Sequence, residues 1–129
     1  MTSILLVDDD VGLLASLGLA VAAEGNVVRT ATNGADALGL ARKYLPDVVV
    51  TDCAMPVMNG VELIRALRAD PALSTVPVIL TSESRKPPRL RISCFIRQPF
   101  PATALLRQLH RLHGRLATRH QRPVRSGGS

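Results

Sequence analysis

The chain has 129 residues, of which 47% are hydrophobic, and this suits one domain with a real core. Only 2% are aromatic, so Leu, Val, Ile and Ala must build that core. The formal net charge of +6 is unevenly spread, because residues 107–125 hold six arginines and no acid whereas residues 1–10 hold three aspartates and no base. No apolar run reaches membrane-spanning length and no signal peptide opens the chain, which favours a cytoplasmic protein.

Short apolar runs alternate with longer segments of helical spacing along most of the chain. The predicted order is strand 3–7, helix 11–23, strand 27–30, helix 33–45, strand 47–52, helix 61–70, strand 76–82, strand 93–96 and helix 102–117. Continuous apolar strands that alternate with helices are typical of a parallel sheet covered on both faces. With right-handed crossovers, this pattern predicts a doubly wound α/β domain.

Acidic residues follow two of the predicted strands. Asp8 and Asp9 end the first strand, Asp52 ends the third, and Thr81 and Ser82 end the fourth. In a doubly wound sheet these ends meet at one edge, where the functional crevice lies. Asp10 is the expected cap of the first helix, separate from this cluster.

Three converging carboxylates repel one another unless a cation joins them. Mg²⁺ prefers oxygen ligands and is usually held by a few carboxylates and phosphate oxygens. The pattern therefore predicts a Mg²⁺ site at Asp8, Asp9 and Asp52. The alternatives are solvated acids at a helix start for the first two residues and a turn residue for the third.

The segments "ILLVDDD", "VVVTDCAMPVMNG", "VPVILTS" and "FIRQPF" follow successive strands in this order. Together they resemble the receiver domain of two-component response regulators, over about residues 3 to 117. The resemblance implies a flavodoxin-like, doubly wound, five-stranded parallel sheet. It also implies a signalling role, not an enzyme, with a histidine kinase or histidine phosphotransfer protein as the partner.

The resemblance assigns roles to individual positions. It makes Asp52 the phosphoacceptor, and it makes Asp8, Asp9, Asp52 and the backbone carbonyl of Cys53 the ligands of Mg²⁺. Ser82, counted from the proline of "VPVILTS", matches the switch hydroxyl, with the preceding threonine as the weaker candidate.

Phe95 matches the aromatic residue that moves when the switch hydroxyl is drawn to the phosphoryl group. The alternative for Ser82 is an ordinary serine at a strand end.

Three features depart from the family pattern. Gln98 stands where the family has a lysine, so a hydrogen-bond donor replaces a cation. Arg97 should point to the opposite face, which leaves Arg85 or Lys86 as possible substitutes. Glu83 adds bulk and charge where a small residue is usual. The segment 83–97 is short and contains Pro-Pro, so the helix that the family carries there should be absent or reduced to a turn.

Two functions fit these features. The first is a stand-alone receiver over residues 1–117 that is phosphorylated on Asp52, followed by a basic, disordered tail over 118–129. The second is a pseudo-receiver, a protein-binding module with weak or no phosphorylation. A nucleic-acid binder that uses the basic tail is a third and less favoured function, because no aromatic residues or zinc ligands accompany the arginines.

The predicted first helix, "VGLLASLGLAVAA", carries no charge. A helix that covers a sheet needs only one apolar stripe, so its outer side should expose Leu or Val as a partner surface. In receivers the corresponding helix resembles the docking site for the histidine-bearing partner. The alternative is a helix packed on all sides.

Overall fold

The computed structural model describes residues 2–114. The proposed tail at 118–129 and the predicted end of the last helix at 117 lie outside the described residues. None of the helices in the described part is long and apolar enough to cross a membrane.

Five parallel strands form one sheet in the order β2-β1-β3-β4-β5. The elements in chain order are β1 Ser3–Val7, α1 Val11–Ala22, β2 Val27–Ala31, α2 Gly34–Tyr44, β3 Val48–Asp52, α3 Gly60–Ala69, β4 Val78–Ser82, β5 Cys94–Arg97 and α4 over residues 102–114. The doubly wound α/β fold is thereby confirmed, with boundaries within two residues of the prediction in most elements. The largest change in a strand is at β4, which begins after Pro77, a residue that has no N–H to donate to a ladder.

The apolar strands pack on both faces of the sheet, as their continuous hydrophobic sequences predict. One core lies under α2 and α3 and contains alternate strand residues such as Leu5, Val49 and Leu80. The other lies under α1 and α4 and contains the intervening residues, such as Leu6, Val50 and Ile79. The two-residue period therefore decides which helix layer each strand residue contacts.

Each of the first three helices begins at a polar cap. Asp10, as predicted, accepts a hydrogen bond from the backbone N–H of Leu13. Asn33 caps α2, and Asn59 forms a reciprocal capping box with Glu62 at the start of α3. These caps satisfy N–H groups that a helix leaves unpaired, and they fix where each helix leaves the edge of the sheet.

The connection from β4 to β5 contains no helix, which confirms the prediction from its length and its two prolines. Residues 83–93 cross instead as bends and irregular backbone, with none of their side chains fully buried. Leu90 and Ile92 pack partly against the core under α2 and α3. The Ser93 N–H then donates to the Val78 carbonyl at 2.8 Å and starts the pairing of β5.

Gly60 lies where α3 passes closest to the end of β3. Its N–H donates to the Cys53 carbonyl at 2.8 Å. A Cβ on Gly60 would overlap the carbonyl oxygen of Asp52 and lie 3.0 Å from the Cα of Cys53. The obstacle is backbone, which cannot rotate away as a side chain can, so this position requires glycine for space.

Replacement of Gly60 by alanine should lower the free energy of unfolding by about 2 kcal/mol or more, because β3 and α3 must separate. Gly39→Ala is the matched control, since Gly39 is exposed within α2 and an added Cβ there meets nothing within 4 Å. This control should stabilise the protein by roughly 0.5–1 kcal/mol through helix propensity. Urea unfolding of both variants measures the difference, and equal stability of the two would contradict the proposed contact.

Candidate functional site

The carboxyl ends of β1 and β3 bring three acids together. Asp8, Asp9 and Asp52 each place a carboxylate oxygen within 4.8 Å of the others. These two strands are neighbours in the sheet and flank the point where the strand order reverses, which is where a crevice forms in a doubly wound fold. The convergence predicted from the strand ends is thus present in the structure.

The three acids differ in their surroundings. Asp8 is only 7% exposed, and its carboxylate accepts a hydrogen bond from the Asp10 N–H at 2.9 Å. Asp52 is half-buried, whereas Asp9 is exposed. The backbone that caps α1 therefore also orients the Asp8 carboxylate, and the cluster opens to solvent on the side of Asp9.

Burial raises the pKa of Asp52 to about 6, with the Asp8 charge as the next cause. Burial likewise raises the pKa of Asp8, and the charges of Asp9 and Asp10 add to the effect. Both shifts show that ionised carboxylates are disfavoured here in the absence of a positive charge. Carboxylate oxygens from three residues at an edge open to solvent fit a Mg²⁺ ion that keeps several waters.

Gln98 follows directly after β5, and its side chain reaches Asp52. Its side-chain Nε2 donates to the Thr81 hydroxyl at 2.9 Å and lies 3.4 Å from the Asp52 carboxylate. Its backbone N–H donates to the Ser82 carbonyl at 2.7 Å, which fixes the position. The glutamine therefore occupies the place beside Asp52 with a neutral donor.

The two hydroxyls at the end of β4 leave the strand on opposite faces. Thr81 pairs with Asp52 in the ladder and shares its face, where it accepts the Gln98 hydrogen bond. Ser82 lies on the face of Leu80 and Phe95, and its hydroxyl accepts from the Ser84 N–H at 3.1 Å. Sequence reasoning treated Thr81 only as the weaker switch candidate and missed its link to Gln98. The two-residue period counted from Ile79 was the signal that could have found it.

Phe95 is half-buried and packs against the core under α2 and α3. Its ladder partner is Leu80, two residues before Ser82, so Phe95 and Ser82 occupy the same side of the sheet. This arrangement is compatible with a hydroxyl and an aromatic ring that respond to each other.

Cys53 is the first residue of the loop that follows β3, directly after Asp52. Its carbonyl accepts the Gly60 N–H and its own N–H donates to the Thr81 carbonyl at 2.9 Å. One lone pair of the carbonyl oxygen is thereby engaged in the loop, which leaves the second for the metal contact predicted from the sequence. The Cys53 side chain packs partly against the core.

The basic side chains nearest in sequence to Ser82 and Gln98 do not supply a positive charge to the acid cluster. Arg97 is exposed and pairs in the ladder with Ser82, on the opposite face from Gln98. Arg85 and Lys86 are exposed, and no ion pair joins either to a carboxylate within residues 2–114. Glu83 is exposed beside Gln98, at the rim of a groove. In the described residues the acid cluster therefore lacks a cationic side chain.

The family model of the response regulator receiver domain matches residues 4–96 of this chain. The chain therefore belongs to the family of response regulator receiver domains. Similar proteins include PilH of Pseudomonas aeruginosa, 39% identical over 82 residues that cover 64% of this chain and 68% of PilH. The probable transcriptional regulator ycf29 of Pyropia yezoensis is 33% identical over 118 residues, and this alignment covers 87% of the chain but 53% of ycf29. The chain thus spans about half the length of that relative.

Solved structures agree on the fold. The chemotaxis response regulator CheY4 of Vibrio cholerae superposes with a TM-score of 0.81 at 28% identity and covers 87% of this chain and 98% of CheY4. The receiver domain of the Francisella response regulator 1452 gives a TM-score of 0.83 at 24% identity, and the superposition covers 90% of this chain and 99% of that domain. Receiver domains are signalling modules, and they generally bind Mg²⁺ at an aspartate cluster such as the one described above.

Asp52→Asn should stabilise the metal-free protein at neutral pH. A carboxyl whose pKa is raised on folding contributes stability while protonated, and this contribution is lost as pH rises from about 4 through about 6. The free energy of unfolding of the variant should therefore exceed that of wild type by on the order of 1–2 kcal/mol at about pH 7.5 and by little at about pH 4. Urea unfolding with a chelator present measures both conditions.

Glu83→Gln is the matched control, because it neutralises an exposed carboxylate near the same edge. Its unfolding free energy should stay close to wild type at both pH values. A loss of stability in Asp52→Asn at neutral pH would contradict the electrostatic account of the cluster.

Proposed function

We propose that this receiver accepts a phosphoryl group on Asp52 from a phosphohistidine of a cytoplasmic histidine kinase or histidine phosphotransfer protein. The observation that carries the proposal is the convergence of Asp8, Asp9 and Asp52 within 4.8 Å at the switch point of the sheet. Asp52 is the central member, because it lies beside Asp8, Thr81 and Gln98 and remains partly open to solvent.

The transfer needs one ionised carboxylate and a way to offset charge. A carboxylate oxygen of Asp52 attacks phosphorus while the bond between phosphorus and the imidazole nitrogen breaks, and the electron pair of that bond stays on the nitrogen. The imidazole already carries a proton on its other nitrogen, so it leaves as a neutral group. Mg²⁺ held by Asp8, Asp9, Asp52 and the Cys53 carbonyl would neutralise the phosphoryl oxygens. Asp8 and Asp9 would act as ligands, and the buried Asp8 would fix the ion relative to the sheet.

Gln98 and Ser82 would form hydrogen bonds to the phosphoryl group once it is on Asp52. The Nε2 of Gln98 already lies 3.4 Å from the carboxylate, so it can donate to a phosphoryl oxygen without bringing a charge. Ser82 would have to exchange its bond with the Ser84 N–H for one to the phosphoryl group. Because Phe95 shares that side of β4 and β5, a shift of Ser82 would open space for its ring.

The alternative function is a pseudo-receiver that binds a protein with weak or no phosphorylation. Two observations favour it: Gln98 replaces the family's lysine, and no cationic side chain in the described residues lies at the acid cluster. Charge-assisted bonds are stronger than neutral ones, so the acyl phosphate would be less well stabilised here than with a lysine.

Incubation with a small phosphodonor and Mg²⁺ should add one phosphoryl group to the wild-type protein, read by intact mass. Asp52→Asn should abolish this acid-labile addition, because it removes the nucleophile. Ser82→Ala should still be phosphorylated but should show smaller amide shifts around Phe95 by NMR, because the hydroxyl acts only after transfer. Phosphorylation that persists in Asp52→Asn would refute the assignment.

Asp9→Ala provides the metal control for the same experiment. It should raise the Mg²⁺ concentration needed for phosphorylation, because one of three carboxylates is lost. No phosphorylation of wild type at saturating Mg²⁺ would favour the pseudo-receiver.

The partner surface proposed for this reaction is the outer side of α1. Leu14, Leu17 and Val21 face the core, while Val11 and Leu19 are 67% and 76% exposed. The exposed stripe is apolar and begins directly after Asp10, next to the acid cluster. A groove of about 550 Å³ between Leu13 and residues 97–100 continues this surface past Gln98. A histidine-bearing helix that covered the stripe would therefore also reach Asp52.

Leu19→Glu should lower the rate of phosphotransfer from a histidine-bearing partner by about tenfold, since a charge would enter an apolar contact. Phosphorylation by the small donor and thermal stability should remain near wild type, because Leu19 contributes little to the core. Ala35→Glu, an exposed position on α2, is the matched control and should leave both rates unchanged. Unfolding of Leu19→Glu, or an equal loss in both variants, would contradict this surface.

A further inference from the structure

A groove lies at the amino ends of β4 and β5, at the end of the sheet opposite to the acid cluster. It has a volume of about 440 Å³ and is lined by α3, by the residues before β4, by the residues before β5 and by α4. Its floor is apolar and its rim is basic: the apolar lining residues are Val76, Pro77, Leu90, Ile92 and Leu112, and the basic ones are Arg68 and Arg91. We call this surface the Arg91 groove.

Arg68 donates hydrogen bonds to backbone carbonyls and thereby fixes two backbone segments that line the groove. Its Nε and Nη2 donate to the Arg91 carbonyl at 3.1 and 2.7 Å. Its Nη1 donates to the carbonyls of Ser74 and Val76 at 3.2 and 2.8 Å. Arg68 thereby ties the segment before β5 to the segment before β4, in the place where the family has a helix.

Among the described residues, these bonds leave Arg91 as the free charge of the groove. The carbonyls that surround Arg68 offset its charge, while burial and the neighbouring Arg91 lower its pKa. The paired hydrogen bonds to the Arg91 carbonyl fix the backbone from which the exposed Arg91 side chain projects. A fixed backbone reduces the entropy that an anionic ligand must overcome on binding.

Within residues 2–114 no acid pairs with the exposed charge of the groove. Arg91 lines the groove and is exposed, and Arg89, two residues before it, is exposed as well. Neither of these two cations forms an ion pair in the described part of the chain. A concave apolar floor with an uncompensated basic rim matches a ligand that carries apolar and anionic groups side by side.

We propose that the Arg91 groove binds an acidic segment of a partner protein, which inserts an apolar side chain into the floor and places carboxylates against Arg91. The chain's own residues 115–129 include four arginines and no acid, so like charge disfavours them as the occupant. A second copy, with a net charge of +6, is disfavoured for the same reason. Single-stranded nucleic acid is disfavoured because no aromatic side chain among residues 2–114 lines the groove for base stacking.

NMR titration of the full chain with a defined probe tests this proposal. The probe is a capped peptide of about ten residues with alternating Glu-Glu and Leu-Leu pairs, and its control replaces every Glu by Gln. The acidic peptide should shift the amides of residues 74–76 and 90–93, with binding at least about fivefold tighter than for the Gln peptide. Shifts confined to α1 or to residues 115–129, or equal binding of the two peptides, would overturn the proposal.

Two charge reversals separate the groove from general electrostatics. Arg91→Glu should weaken binding of the acidic peptide by about fivefold or more, whereas Arg107→Glu, an equal charge change at an exposed site on α4, should have little effect. Equal losses in both variants would leave only the net charge as the cause and would contradict the groove. A short duplex DNA that binds more tightly than the peptide, and depends on Arg91, would assign the surface to nucleic acid instead.

Binding in the Arg91 groove requires neither Mg²⁺ nor a phosphoryl group. Asp52→Asn should therefore bind the acidic peptide as wild type does, even though it cannot be phosphorylated. Arg68→Lys should weaken peptide binding and increase amide exchange at residues 90–93, because a lysine cannot make the forked bonds to one carbonyl. Peptide binding abolished by Asp52→Asn would contradict a separate site.

Discussion

Three carboxylates repel one another at one edge of the sheet, and the packing of the rest of the structure must overcome this repulsion. Asp8 and Asp52 are held close together out of bulk water, which raises the pKa of both. An unfolded chain would let these acids separate, so the packing of β1 against β3 must supply the free energy that keeps them together. The buried strand residues and the close approach of Gly60 to β3 supply that packing. The raised pKa values mark where a cation would stabilise the folded state most.

Much of this fold could be predicted because its signals are local. Continuous apolar strands, polar caps and a pair of prolines each act within a few residues, and the strand ends placed the acids correctly at one edge. The roles of Thr81 and Ser82 could not be separated as readily, since the sequence shows two adjacent hydroxyls and the face of each depends on where the ladder with β3 begins. A shift of one residue in register would exchange their faces.

The function of Arg68 was beyond local reasoning for a different reason. On the amphipathic α3, Arg65 and Arg68 both lie on the polar side, and the sequence treats them alike. In the structure Arg65 is exposed, whereas Arg68 turns to carbonyls as distant in sequence as Arg91. The Arg91 carbonyl is available because the chain between β4 and β5 is irregular and does not satisfy its own carbonyl groups as a helix would. The other two carbonyls, of Ser74 and Val76, lie in the segment before β4. The absence of a helix thus leaves available one of the three carbonyls that Arg68 uses.

The irregular backbone that replaces a helix between β4 and β5 also limits how a phosphorylation signal could travel. No side chain of residues 83–93 is fully buried, so the segment has little core packing through which to transmit a rearrangement. The pairing of β5 with β4 is instead fixed by backbone bonds at both ends, from Ser93 to Val78 and from Gln98 to Ser82. A displacement at Ser82 would therefore act on the β4–β5 ladder itself. The Arg68 contacts lie at the far end of the same two strands, so they oppose any sliding of β5 along β4 and would confine the response to the ring of Phe95 and the residues around Gln98.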